Sequence, residues 1–236
     1  MKKIIGSLLI VSASLLANEF YAKIEPLETY TIKSSVNGKI IKAYESLEGK
    51  FVVKDTIIEI DNQLNTIDLK NTQEKLQTLK SILEIEEEIL KSYEKVSSKS
   101  KYDKDNQKIK ILNIISQISD LETKIATLQD TIANKKYELI NQYLYKLNVK
   151  KGDYVNPGST LFTAMDISSG KLTIYVPIDL IEEIKSKEIY IDSQKTNLKI
   201  NKIYDVADEK HISSYKCEIL IPKPQKFSTL VKIEFK

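Results

Sequence analysis

The sequence predicts an elongated α+β chain: a β domain split in two by an antiparallel α-helical coiled-coil hairpin, then a small β-barrel. Three observations predict it. A long stretch without glycine or proline carries a seven-residue apolar repeat. Two versions of one β-turn unit, "LEGKFVVKDTIIEI" at 47–60 and "VKKGDYVNPGSTLF" at 149–162, stand on either side of that stretch. Short alternating segments follow the second copy to the last of the 236 residues.

The hairpin comes first. No glycine falls between Gly49 and Gly152, and no proline between Pro26 and Pro157. Helix interiors demand this, since glycine costs roughly 1 kcal/mol there and proline roughly 3. From Asn65 to Val96, Leu69, Leu76, Leu83 and Leu90 form one heptad series, and Thr72, Leu79, Glu86 and Tyr93 a second. Ile82, Ile89 and Val96 widen the stripe. The return arm repeats the pattern with Ile111, Ile118, Ile125 and Ile132, and with Ile114, Leu121 and Leu128. A heptad repeat sustained this long is the mark of paired, supercoiled helices. Between the arms, "SSKSKYDKDNQ" at 97–107 has no aliphatic residue and offers Asp103 or Asp105 as an N-cap. Two arms around a polar break make a hairpin, placed at 63–138. At 1.5 Å per residue, arms of about 30 residues reach roughly 45 Å. One unbroken helix in a parallel dimer is the alternative.

The flanks read as halves of one module. Laying Gly49 on Gly152 aligns Val52 with Val155, Asp55 with Gly158, Ile58 with Leu161, Gly38 with Asn141, Ile41 with Leu144 and Tyr44 with Leu147. Glycine and asparagine most readily adopt positive φ, so Gly38, Gly49, Asn141, Gly152 and Gly158 are assigned to turns. The halves are placed at 30–62 and 139–168. Beyond them, "KLTIYVP" alternates, "IDLIEEIKS" is a short helix, and strand-like runs follow, so 169–236 is assigned to a small β-barrel. In "YKCEILI" the lone Cys217 takes a buried strand position.

These residues resemble a known family. "VNGKI…LEGKFVVKDTIIEID", a coiled-coil hairpin, then "LNVKKGDYVNPGSTLFTAMD…KLTIYVPIDLIEEI" look like the periplasmic adaptors, or membrane fusion proteins, of the HlyD/MacA/AcrA type. The resemblance covers roughly residues 30–235 and is most specific from Gly152 to Ile184. It departs from the family at Asn141, where an Ala-Pro…Gly turn is usual, and at Asp55, where glycine is usual. The resemblance implies a lipoyl-like (biotinyl-like) fold for the two halves. It implies a homo-oligomer, a hexameric ring, bridging an inner-membrane transporter and a TolC-like outer-membrane channel. An ABC-type transporter is preferred over a proton-driven pump. Family members carry an Arg-x3-Leu-x6-Ser pattern around the hairpin tip for docking the channel; Lys108, Leu112 and Ser119 match that spacing with lysine for arginine. The polar tip, Ser97 to Asn106 with Ser98, Lys101 and Tyr102, is the second docking region. With a secretory leader set aside, about 10 residues precede the first half, which points to the family's membrane-proximal domain being absent or reduced.

Other readings fare worse. Two lysines and an apolar run from Ile4 to Ala17 suit a secretory leader and fall short of the ~20 residues that span a bilayer. The leader is placed at 1–22, with cleavage after Ala17 or Ala22, and retention as an uncleaved anchor is the alternative. No cysteine stands directly after the run, which argues against a lipoprotein anchor, so the mature chain is expected in the periplasm. A net charge of +3 and the absence of arginine argue against nucleic acid. A lipoyl carrier would need its modified lysine where the hairpin is inserted. A zinc peptidase would need more histidine than His211, which reads as a loop residue. Glu182/Glu183 and the run Glu86–Glu88 read as solvated helix faces. No catalytic site, cofactor or metal is expected. A periplasmic coiled-coil scaffold outside transport remains the other function class.

Overall fold

The computed structural model describes residues 18–236. In chain order the elements are β1 (Asn18–Lys23), β2 (Glu25–Lys33), β3 (Gly38–Ala43), β4 (Lys50–Ile60), α1 (Gln63–Lys95), α2 (Lys101–Ala133), β5 (Lys136–Leu147) and β6 (Tyr154–Val155). Then follow β7 (Thr160–Pro177), α3 (Ile181–Ile184), β8 (Ile189–Ile191), β9 (Gln194–Lys195), β10 (Ile200–Ile203), β11 (Ser214–Pro222) and β12 (Leu230–Phe235). The described residues divide into two compact units, 30–164 and 18–29 with 165–236.

In the first unit both β halves share one core. Ile40, Val52, Ile57, Ile58 and Ile60 from before the helices pack with Leu139, Leu144, Val155, Leu161 and Phe162 from after them. β4 pairs antiparallel with β5, from Lys50↔Leu144 to Glu59↔Lys136, and β3 pairs with β4 and β6. The second turn unit closes onto the first half through backbone bonds: Gly152 N–H donates to Ile40 O (2.9 Å), Ile40 N–H to Asp153 O (2.8 Å) and Gly158 N–H to Ser34 O (2.7 Å). In return Gly49 N–H, in the first turn, donates to Leu144 O (2.8 Å), so each copy of the turn bonds to the opposite half.

Gly38 and Asn141 both take positive φ, 153° and 50°. A Cβ on Gly38 would stand 2.5 Å from Cγ2 of the fully buried Ile60. Asn141 marks a change of face: Leu139 and Leu144 are both buried although an odd number of positions apart, so strict alternation breaks between them. Gly49, Gly152 and Gly158 also have positive φ, but Asp55, aligned with Gly158 in the sequence, lies inside β4. The strand after the first turn was expected from Asp55, and the five residues 50–54 extend it back to the turn at Gly49.

Two helices of 33 residues occupy the insertion, joined by residues 96–100. The polar break is shorter than expected, because α2 begins at Lys101. Its N-cap is Ser100, not Asp103 or Asp105: Ser100 Oγ accepts from Asp103 N–H, and the Asp103 carboxylate accepts from Ser100 N–H, a capping box. Asp103 therefore serves from inside the first turn.

The second unit joins strands from both sides of the first. β1 pairs with β12 in register Asn18↔Phe235 to Lys23↔Leu230, and β8 and β9 extend that sheet. β10, β11 and the later part of β7 pair antiparallel, with Cys217 opposite Ile174. Its core gathers Ala22, Ile24, Leu172, Ile174, Ile184, Ile219, Ile233 and Phe235. The apolar run Ile4–Ala17 of the expected leader lies outside the described residues, whereas residues 18–22, assigned to that leader, form most of β1. Among the described residues no helix is long and apolar enough to cross a membrane.

Gly38→Ala should lower the thermal unfolding temperature, costing about 1–3 kcal/mol as Ile60 is forced aside; calorimetry of the two proteins checks it. Burial raises the Cys217 thiol to about 11. An aromatic disulfide reagent should therefore leave Cys217 untouched until denaturant is added. Because the folded value lies above the unfolded one, its contribution to stability is complete below pH 9 and fades as pH rises towards 11.

Candidate docking interface

Side chains that are not exposed recur along α1 at Leu69, Thr72, Leu76, Leu79, Leu83, Glu86, Leu90 and Tyr93. Along α2 they recur at Lys104, Gln107, Ile111, Ile114, Ile118, Leu121, Ile125, Leu128 and Ile132. These are the heptad series read from the sequence, extended by Lys104 and Gln107. Ion pairs mark the two lateral edges of the seam. Lys80 bonds Glu122 at 2.9 Å on one edge, and Asp68 bonds Lys124 at 3.0 Å on the other. Each pair joins equivalent heptad positions, as an antiparallel arrangement requires.

One layer of the seam is polar. Glu86 is 8% exposed and so is Gln107. Gln107 Nε2 donates to the Glu86 carboxylate (2.8 Å) and to its backbone carbonyl (2.9 Å), and Lys110 Nζ lies 2.6 Å from the same carboxylate. Lys110 first, and then Gln107, hold the Glu86 carboxyl below its ordinary range, against the opposing effect of burial. Glu86 is thus not a solvated helix face, and Gln107 is not part of the polar break. The heptad position of Glu86 was the available signal. Glu182 and Glu183 do lie on the surface, paired with Lys185 and Lys187.

The outer faces of the hairpin carry apolar side chains that the seam does not use. On α2, Lys108, Leu112, Ile115 and Ser119 follow one another at helical spacing and are all exposed, Leu112 by 63%. Their heptad positions put them on the Lys80–Glu122 edge. On α1, Ile82, Ile85 and Ile89 form a stripe on the opposite edge, with Ile85 56% exposed. Ile82 and Val96, expected to widen the seam, belong to this outer face. Glu86 faces Gln107, so both stripes flank the same level of the hairpin. Nearer the base, the α1-stripe edge is polar, with Asp68, Lys75, Asp120 and Lys124. Ser98 lies in the connecting turn, and Lys101 and Tyr102 in the first turn of α2, all exposed. Lys108, Leu112 and Ser119 therefore share one face, and the tip residues lie apart from it, beyond the Glu86–Gln107 layer.

Elsewhere, His211 stacks on Tyr175 with ring centroids 3.4 Å apart, and its Nδ1 lies 2.9 Å from Asp208 Oδ1. Asp208 also accepts the backbone N–H groups of Lys210 and His211, so the cluster ties down its own loop. Among the described residues no three His, Cys, Asp or Glu side chains converge as metal ligands.

No protein-family model and no curated protein matches the chain. Solved structures do. MacA from Actinobacillus actinomycetemcomitans superposes with a TM-score of 0.74 at 18% identity, covering 93% of this chain and 78% of that one. The membrane fusion protein Spr0693 from Streptococcus pneumoniae R6 gives 0.73 at 9% identity, over 92% and 98%. The fold is that of the membrane fusion proteins. A MacA–MexA chimera containing the Pseudomonas aeruginosa MexA α-hairpin domain shares it at 0.66 and 18% identity, over 93% and 80%. The distal half of the hairpin is one of the places where apolar side chains lie exposed, with Ile85, Leu112 and Ile115 among them.

Glu86→Gln should melt at a lower temperature than the parent at pH 7. Since the folded Glu86 value is depressed, its contribution is present above the ordinary carboxylate range and is lost as pH falls through the folded value. The difference in melting temperature should therefore close in acid, as circular dichroism at 222 nm would show.

Proposed function

We propose that the chain is a periplasmic adaptor subunit, a non-catalytic bridge between an inner-membrane transporter and a TolC-like outer-membrane channel. The observation that carries this reading is the pair of apolar stripes on opposite edges of the hairpin at one level. An interface in which Ile82, Ile85 and Ile89 of one copy meet Ile115 of the next, leaving Leu112 uncovered, is heterologous. Such contacts close into a ring when the rotation between neighbours permits. A hexameric ring of hairpins would enclose a duct, with Lys108, Leu112 and Ser119 and the tip residues Ser98, Lys101 and Tyr102 presented to the channel. In this reading the 30–62 and 139–168 halves form a lipoyl-like domain and 169–236 a β-barrel, each contributing to the wall of the ring. An ABC-type transporter is the preferred inner partner, with the chain delivered to the periplasm by a leader that ends before β1.

Leu112→Asp and Ile85→Asp replace exposed side chains and should leave the circular dichroism spectrum and unfolding temperature unchanged. Leu112→Asp should reduce retention of the chain by a co-expressed TolC-like channel about tenfold or more, the loss of one buried apolar anchor. Ile85→Asp should reduce self-association in sedimentation velocity. Undiminished retention and undiminished self-association together would overturn the bridging reading.

A further inference from the structure

We infer that the Glu86–Gln107–Lys110 layer is a clasp that holds the distal part of the hairpin closed, so that residues 87–106 open as a unit separate from the rest of the rod. Three observations converge on this. First, the layer is the last buried one. All buried side chains of the two helices (Thr72, Glu86, Gln107, Ile111, Ile114, Ile118 and Leu128) lie at the layer or on its base side. Second, the seam beyond it is thin: its heptad positions are held by Leu90 and Tyr93 of α1 and Lys104 of α2, none of them fully buried. Third, among the described residues no hydrogen bond or ion pair links α1 to α2 on the tip side of the clasp. The bonds there are local: the Ser100–Asp103 capping box and Lys99 over the Tyr93 ring at 4.3 Å.

A polar pair at a seam position often fixes register, but register here is set elsewhere. The helices spring from paired strands, and at the base Lys135 Nζ donates to Asp61 O (2.6 Å) and Asn65 Oδ1 (2.7 Å). A heptad slip would tear that base apart whatever occupied positions 86 and 107. What the layer does control is the ends of the rods. Gln107 reaches across to a side-chain and a main-chain oxygen of one residue, tying α2 to the α1 backbone where the apolar seam gives out. Local opening follows the weakest contiguous stretch. With this tie cut, the distal turns keep only the thin seam beyond it.

Hydrogen–deuterium exchange on the full chain tests the inference. In Glu86→Ala and in Gln107→Ala, amides of 87–106 should exchange about tenfold faster or more, the usual effect of stranding a buried charged or amide group. Segments 63–79 and 114–133 should stay within about twofold of the parent. The double variant Glu86→Leu/Gln107→Leu, which fills the layer with a matched apolar pair, should return the tip to parental protection. Lys110→Met removes only the exposed member and should give a smaller acceleration confined to the same segment. Unchanged tip exchange in the alanine variants, a rise spread evenly along both helices, or a leucine pair that fails to restore the tip would each overturn the clasp.

Discussion

Everything beyond the β strands depends on how the two helices leave them. β4 and β5 are hydrogen-bonded neighbours up to Glu59↔Lys136, and Ile60 N–H donates to Lys135 O at 2.8 Å. α1 starts, and α2 ends, within a few residues of that last rung. In the folded chain, strand pairing therefore sets the separation, antiparallel sense and starting register of the helices at their base. Lys135, reaching to Asp61 and Asn65, tightens the same point. From there the heptads need only continue the register they inherit, and side chains outside the seam stay available for other contacts.

Surface charge contributes little to holding the chain together. The ion pairs along the hairpin edges and around α3 are mostly solvent-exposed, a class worth roughly 0–1 kcal/mol each. Stability rests instead on two separate apolar cores, one per unit, and on the seam. The seam is the least apolar of the three, interrupted by Thr72 and by the Glu86–Gln107 layer. Thr72 satisfies its hydroxyl within its own helix, on Asp68 O at 2.7 Å, so it leaves no orphaned group. Glu86 and Gln107 find their partners across the seam, and this sets the pair apart from Thr72.

Where periodicity is long, the sequence was legible almost residue by residue. The heptad leucines and isoleucines predicted the seam, and the exposure of Leu112 and Ile115 followed from their being off it. The paired turn motifs predicted one core built from both flanks, because glycine and asparagine at matched positions announce matched backbone conformations. Short-range chemistry was less readable. The capping box at Ser100 was obscured by two nearby aspartates with equal propensity for the cap. Glu86 looked solvated because carboxylates usually are, and its partner lies 21 residues away, in a stretch that composition alone assigns to a loop. The strand role of residues 18–23 could not be read from alternation, since their partner is the distant β12.

That last pairing carries a consequence for biosynthesis. Asn18 lies opposite Phe235, so the sheet containing β1 cannot be completed until the final strand has emerged from the ribosome. The unit of residues 30–164 is contiguous and can mature during translation, whereas the other has to wait with an apolar edge unpaired. The discontinuous unit is therefore the later of the two to close, and loss of β12 would leave β1 without the strand it pairs with.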